Sequence, residues 1–264
     1  MECEIHTLNG SREFRDLGGL ETPAGLRVKS GQLFRSNRLC YLSEKDFATL
    51  RRARVGLVID FRGPGERRSH PNLLPTGIAT RNLGIYYQQG KEMGLPATMY
   101  DGYATDALRR GFKADYFSDL ILSCYRNIVH HAKNQFHDFF MELMRVDRSP
   151  IIFHCSAGKD RTGIAAMLLL SALGVEKGQI IDDFMKSDRR TQFRVQEFLK
   201  YCKKKSMLQV EAADVFPLFC AKEKYINTAM ETLEANYGGV LKYIKVELGI
   251  SNQQLELLRQ RYLV

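Results

Sequence analysis

The strongest restriction on the fold lies at residues 151–173. An apolar stretch, IIFHC (151–155), leads through a polar loop containing one glycine, SAGKDR (156–161), and Thr162-Gly163 into an apolar run at 164–173. A strand buried on both faces reads as a continuous apolar run, and parallel neighbours must be joined by long crossovers that are usually helical. VGLVIDF (55–61) is a second run of this kind, and 78–83 is a third candidate strand. Residues 14–36 read as short strands and turns, with a turn at TPAG (22–25) and a strand at QLFRS (32–36). Ser43 with Asp46 three residues later predicts a capped helix start, the helix reaching about 54. Phe117, Leu120, Ile121, Cys124 and Ile128 recur at helical spacing, and Phe136, Phe139, Phe140, Leu143 and Met144 repeat that stripe. A helix opens near Asp160 and stops at Gly174. Beyond it Ile180, Ile181, Phe184 and Met185 make one apolar helical face, and Met230, Leu233 and Tyr237 make another before the Gly238-Gly239 break. The expected fold is α/β: a central, mostly parallel sheet flanked by helices, forming one domain over 1–264. Residues from about 101 to 145 are expected to be a helical insertion lying over the site as a lid, and from about 206 to 264 a helical C-terminal part.

Parallel sheets bind ligands beyond the carboxyl ends of their strands, and HCSAGKDRTG (154–163) falls there. The loop amides from Ser156 through Ala157, Gly158, Lys159 and Asp160 to Arg161 can curl around a tetrahedral oxyanion, with the positive end of the new helix aimed at the same point. Gly158 permits the tight curvature, and Arg161 offers a planar fork for two phosphate oxygens. The same field favours a thiolate at Cys155. A strong nucleophile beside a bound phosphate is the arrangement for phosphoryl transfer through a cysteinyl-phosphate. Thr162 can offer its hydroxyl to the departing thiolate, and His154 braces the loop through hydrogen bonds. Asp160, inside the loop, is the expected general acid; Asp60, ending a buried strand at the same sheet edge, is its rival but reads better as a loop anchor. Asp101 and Asp106 are distant third choices. Arg62 and Glu66 have the spacing of a local ion pair bracing the loop after that strand. Lys159 is expected to add positive charge at the rim, suited to a second phosphate on the substrate.

Composition sets the remaining limits. Hydrophobic residues make up 44% of the 264 and charged residues 26%, as in ordinary globular proteins. No apolar run reaches the ~20 residues that span a bilayer, and the N-terminus carries no secretory pattern. The six cysteines form no CxxC pair, which points to free thiols in a reducing compartment, so the expected localisation is cytoplasmic, with export lacking a cleaved signal left open. The net charge of +9 favours anionic partners. The basic stretch 189–205 has the charge to meet an acidic membrane surface, but reads first as a solvated helix face. Aromatic residues are too sparse there for nucleic-acid binding. His130, His131 and His137 lack the i, i+4 pairing of helical metal sites, and no cofactor or metal is expected.

HCSAGKDRTG resembles the signature loop of the cysteine-dependent phosphatase superfamily, HCxxGxxR[ST]. The Lys159-Asp160 pair narrows the resemblance to bacterial tyrosine/phosphoinositide phosphatases of the mycobacterial protein tyrosine phosphatase B group, the triple-specificity phosphatases, whose loop reads HCxxGKDRTG. FRDLGGL (14–20), LFRSNRL (33–39) and VIDFRGPGER (58–67) are similar to that group's N-terminal blocks in the same order, and YGGVLKYIKVELGIS with LRQRYL is similar to its helical C-terminus. Glu13 departs from the group's usual asparagine. The resemblance implies a cysteine-phosphatase-like core, a metal-independent phosphatase acting on phosphotyrosine, often phosphoserine/threonine, and phosphoinositides, and Asp160 as general acid. A lipid-only phosphatase is the nearest alternative. A rhodanese-like sulfurtransferase also places a cysteine in an anion loop, but the Arg161-Thr162 ending disfavours it.

Overall fold

The computed structural model describes residues 7–86, 104–145, 150–207 and 209–264. Five strands form one sheet in the order β1-β2-β5-β3-β4: β1 (Arg15–Asp16), β2 (Leu33–Ser36), β3 (Leu57–Asp60), β4 (Ala79–Asn82) and β5 (Ile151–His154). β2, β5, β3 and β4 run parallel, and β1 pairs antiparallel at one edge. The expected strands at 32–36, 55–61, 78–83 and 151–155 are all present. β2, β3 and β5 are buried throughout, as continuous apolar runs require. β4 is the opposite edge and mostly exposed.

Among the described residues twelve α-helices cover the sheet and extend beyond it. α1 (Glu44–Arg52) is capped by Ser43 and Asp46 as the sequence requires, Asp46 also accepting from the Asn9 and Gly10 amides. α2 (Pro64–Ser69) follows β3, and α3 (Ala104–Arg109), α4 (Ala114–His131) and α5 (Lys133–Leu143) lead to β5. α6 (Asp160–Leu173) leaves the loop after β5 and ends on Gly174 at φ +86°. α7 (Lys177–Met185), α8 (Thr191–Lys204), α9 (Ala212–Phe219), α10 (Glu223–Tyr237), α11 (Val240–Lys242) and α12 (Asn252–Tyr262) complete the chain.

Every residue of α6 except Ser171 is buried, because it is enclosed by the sheet and by α4, α7, α10 and α12. A helix apolar all round is a core helix. The stripe of α4 and α5 joins the same core: Phe117, Ile121, Ile128, Phe136, Phe139 and Phe140 are fully buried. Phe61, Phe139 and Phe153 meet edge to face and lock α5 onto the sheet. The core runs from Leu17 to Leu263, and a smaller cluster packs on the other sheet face around Phe34, Val58 and Ile152. Tyr262 donates to Leu143 O at 2.7 Å, tying the last helix to α5. Leu168→Ala, at the buried middle of α6, should lower stability by about 2–5 kcal/mol in urea denaturation while leaving the helical circular dichroism of the native state unchanged.

Candidate active site

Ser36, His154, Asp60 and Asn82 are register partners, so the four parallel strands end level. The segments leaving β2, β3 and β5 converge on one edge, and the loop 155–161 lies there. Gly158 has φ +71°, and a Cβ on it would come 2.7 Å from Ser36 O. Both its conformation and its contact with the chain leaving β2 exclude a side chain.

A loop that curls its amides inward turns its carbonyls outward, and each of these needs a donor. Three meet them. The Arg38 amide donates to Ser156 O at 3.2 Å, Arg194 Nη1 to Ala157 O at 3.4 Å, and Arg35 Nη2 to Gly158 O at 2.8 Å. Arg35 is fully buried on β2 and pairs with Asp183 of α7. Arg15 Nε reaches the other oxygen of Asp183 at 2.7 Å. Burial alone would raise the Asp183 carboxyl, but Arg35 and Arg15 hold it at about 2. Burial and the neighbouring Arg15 lower the Arg35 guanidinium, while Asp183 and Cys155 act to keep its charge. Two guanidiniums therefore meet one carboxylate beneath the loop.

Cys155 is buried, with 1% of its surface exposed. Arg161, the second residue of α6, forms a two-pronged pair with Glu66: Nη1 to Oε2 at 2.8 Å and Nη2 to Oε1 at 2.9 Å. Nη1 also donates to Ile85 O and Phe61 O. Nε and the second proton of Nη2 make no hydrogen bond among the described residues, and together they form one free edge of the guanidinium. Burial would lower Arg161, but Glu66 more than offsets it and the charge is held firmly. Glu66 itself stays ionised against the effect of burial because Arg161, Ser156 Oγ and the Gly63 amide all donate to it. Glu66 therefore serves the loop directly. The expected Arg62–Glu66 pair does not form: Glu66 turns inward from the first turn of α2 to meet Arg161, and Arg62 turns back to Asp60 at 2.8 Å.

Asp60 is fully buried and both of its oxygens are occupied by Arg62, with Asn72 Nδ2 at 3.1 Å on Oδ2. Burial opposes its charge, but His154 and Arg62 lower its carboxyl. It is an anchor with no oxygen free for a substrate. Arg62 Nη2 donates to Asn72 Oδ1, which orients that amide so that its nitrogen donates to His154 Nε2 at 3.1 Å. His154 thus carries its proton on Nδ1, facing Cys155 O at 3.1 Å. Burial, with Arg62 and Arg161 nearby, lowers its pKa and keeps it neutral.

Asp160 opens α6 and accepts on Oδ1 from Tyr125 of α4 at 3.0 Å and from Lys159 Nζ at 2.6 Å. Oδ2 has no partner among the described residues. Lys159, expected at the rim, is only 1% exposed; its ammonium turns inward to Asp160 and over the Tyr225 ring at 5.5 Å. Thr162 Oγ1 is buried without a hydrogen-bond partner among the described residues. Asp106 is exposed on α3, and Asp101, with the first residues of the expected lid, lies outside the described residues. Burial pushes the Cys202 and Cys220 thiols up, as expected of inert core cysteines. His130 bonds Tyr237 Oη and His137 bonds Leu248 O, so both already have protein partners. The roles of Arg35, Asp183 and Tyr125 had no local signal: each is ordinary in its own segment and meaningful only through a partner far along the chain.

A model described as the tyrosine phosphatase family matches residues 6–264. A protein of Cupriavidus necator named a tyrosine-protein phosphatase is 30% identical over 245 residues, covering 91% of this chain and 83% of its own. The triple specificity protein phosphatase PtpB of Mycobacterium tuberculosis is 25% identical, with 97% of this chain and 98% of that protein covered. A tyrosine-protein phosphatase of Nostoc commune is 27% identical over 90% of this chain and 74% of its own.

Asp183→Asn should cost about 3 kcal/mol at neutral pH, since it leaves the buried Arg35 and the half-buried Arg15 without their carboxylate. With the native carboxyl at about 2 against an ordinary 3.8, this stabilisation is fully present above about pH 4 and is lost as pH falls toward 2. The gap between the urea midpoints of the two proteins should be flat down to about pH 4 and narrow below it; a gap that does not narrow would show that the charge is not what Asp183 contributes.

Proposed function

The chain belongs to the tyrosine phosphatase family and is a phosphatase, and we propose that it hydrolyses phosphate monoesters through a cysteinyl-phosphate on Cys155. The observation that carries this reading is the free edge of Arg161, set beside Cys155 by the pair with Glu66. Nε and Nη2 of that edge grip two oxygens of the phosphoryl group, and the inward amides of 156–161 receive the third. The Cys155 thiolate attacks phosphorus in line while the ester oxygen departs with the proton of Asp160. Water then gives its proton back to Asp160 and attacks phosphorus, releasing inorganic phosphate and the thiolate. Thr162 Oγ1, buried and unengaged, stabilises that thiolate as it leaves. Asp160 fits the proton-carrying role because Tyr125 and Lys159 fix one oxygen and leave the other free. No step requires a metal ion, so EDTA should not reduce the rate.

The reading extends to the chain as one domain, 1–264, in which the helical segment before β5 both packs in the core and reaches over the site through Tyr125. Phosphotyrosine proteins and phosphoinositides are the proposed substrates; the mycobacterial relative is named a triple specificity protein phosphatase. No helix among the described residues is long and apolar enough to cross a membrane. Lys200 pairs with Glu197, and 203–205 are exposed at the end of α8, a solvated face rather than a membrane anchor.

Three variants test the assignments. Cys155→Ser should abolish turnover of p-nitrophenyl phosphate and retain phosphate binding; substantial turnover by it would remove the nucleophile. Asp160→Asn should lower kcat by ~10²–10⁴-fold on alkyl phosphates and much less on p-nitrophenyl phosphate, whose leaving group needs little help. If Asp60→Asn shows that dependence on leaving group instead, the acid is misassigned. Glu66→Gln should lower kcat/KM by ~10–100-fold and weaken competitive inhibition by inorganic phosphate in parallel, because Arg161 loses the carboxylate that sets its plane.

A further inference from the structure

Glu13 lies in the segment before β1, and its side chain is only 5% exposed. Its Oε1 is buried and makes no hydrogen bond among the described residues. Burying a carboxylate without donors is costly, so this one needs a reason. Four guanidiniums act on it: Arg15 from β1, Arg35 from β2, Arg194 from α8 and Arg190 just before that helix. Two of them come near without bonding, Arg194 Nη1 at 3.9 Å from Oε1 and Arg15 Nη1 at 3.9 Å from Oε2. Their donors are engaged elsewhere. Arg15 serves Asp183 and Ser187 Oγ, and Arg35 serves Asp183 and Gly158 O. Arg194 serves Ser187 O at 2.7 Å and Ala157 O at 3.4 Å. Burial prevails over this field and raises the Glu13 carboxyl above its ordinary 4.5. Glu13 also lines a cavity of about 380 Å³ beside the loop, shared with Arg12, Arg38, Arg190, Arg194, Ser156 and Ala157, which gives its proton a route to water. Arg15 and Arg35 have Asp183 as a carboxylate partner; Arg194 has only Glu13 among the described residues.

We propose that Glu13 is a positioning residue whose charge, acting through Arg194, sets how tightly the loop 155–161 holds an anion. The inference rests on that loop being the catalytic anion site. With Glu13 neutral, the Arg194 guanidinium is left to Ala157 O, and its charge adds to the field on a bound phosphate. With Glu13 ionised, the carboxylate draws Nη1 away from a hydrogen bond that is already long at 3.4 Å, and it cancels that charge. An anion in the loop therefore favours the neutral carboxyl. By linkage, affinity is highest where Glu13 is protonated and falls as pH rises through its folded-state value. Asp183 does not share this behaviour, because Arg15 and Arg35 bond it directly and keep it ionised.

The test measures competitive inhibition of p-nitrophenyl phosphate hydrolysis by sulfate, which stays a dianion from about pH 4 to 8 and so adds no titration of its own. Protection of Cys155 from iodoacetamide, read by mass spectrometry, reports whether the sulfate sits in the loop. The ratio of the wild-type inhibition constant to that of Glu13→Gln cancels every titration the two proteins share. It should stand at about one at the acid end and rise to about three- to tenfold at the alkaline end. The midpoint of that rise should lie above the ordinary 4.5. Glu13→Met, neutral and of similar length, should match Glu13→Gln, and tighter binding in both cannot come from misfolding. In an Arg194→Gln background, Glu13→Gln should change little at any pH, because the link is gone. A ratio flat with pH, a ratio below one, or an undiminished effect of Glu13→Gln without Arg194 would overturn the proposal. Sulfate that inhibits without protecting Cys155 would do the same, since the ion would then lie outside the loop. A wild type inactive even on p-nitrophenyl phosphate would instead overturn the catalytic reading beneath it.

Discussion

The buried two-pronged pair between Arg161 and Glu66 is the contact on which the rest of the site depends. A guanidinium taken this far from water must meet a carboxylate, or the desolvation cost goes uncompensated. Two parallel hydrogen bonds also fix its plane, so one edge is used up and the adjacent edge of Nε and Nη2 is aimed. Glu66 can supply them because β3 ends level with β5 and Gly63-Pro64 starts α2 within reach of the loop. The same carboxylate takes Ser156 Oγ and the Gly63 amide. One acidic side chain therefore couples the segment after β3 to both ends of the loop after β5.

A second layer of charge holds the loop from below. Arg35, Asp183 and Arg15 join β2, α7 and β1, and Arg35 ends on the Gly158 carbonyl. The outward carbonyls explain why arginines crowd this loop on its outer side. A loop that offers its amides to a ligand must find donors for its carbonyls elsewhere, and arginine supplies donors that also add to the favourable field. His154 works differently. It is kept neutral in a net of Asp60, Arg62 and Asn72, so it holds the Cys155 carbonyl without competing for a proton.

The helical segment before β5 illustrates how core and site merge. Its stripe of phenylalanines packs into the core, yet Tyr125 from the same face reaches Asp160. Asp160 is thereby tied to α4 as well as to its own helix, and the position of the whole bundle bears on one carboxylate.

Much of this was legible in the chain itself. Continuous β-branched runs determined the buried parallel strands, Ser43 and Asp46 determined the cap of α1, and Gly174 determined the end of α6, because each depends on neighbours a few residues away. The turn at Gly158 between β5 and α6 was readable for the same reason: the curvature of a strand-to-helix loop depends on its own residues. The partners of that loop were not readable. Glu66 is as well spaced to meet Arg62 as any nearby pair, and only the level strand ends turn it toward Arg161. Lys159 looks like a surface lysine until α4 and α10 close over it, and the arginines of 12, 38, 190 and 194 become one cavity only when β2, the loop and α8 are brought together. Charge pairing across distant segments is decided by tertiary packing, since which of several equivalent charges meet depends on where the backbone brings them and how little water remains between them.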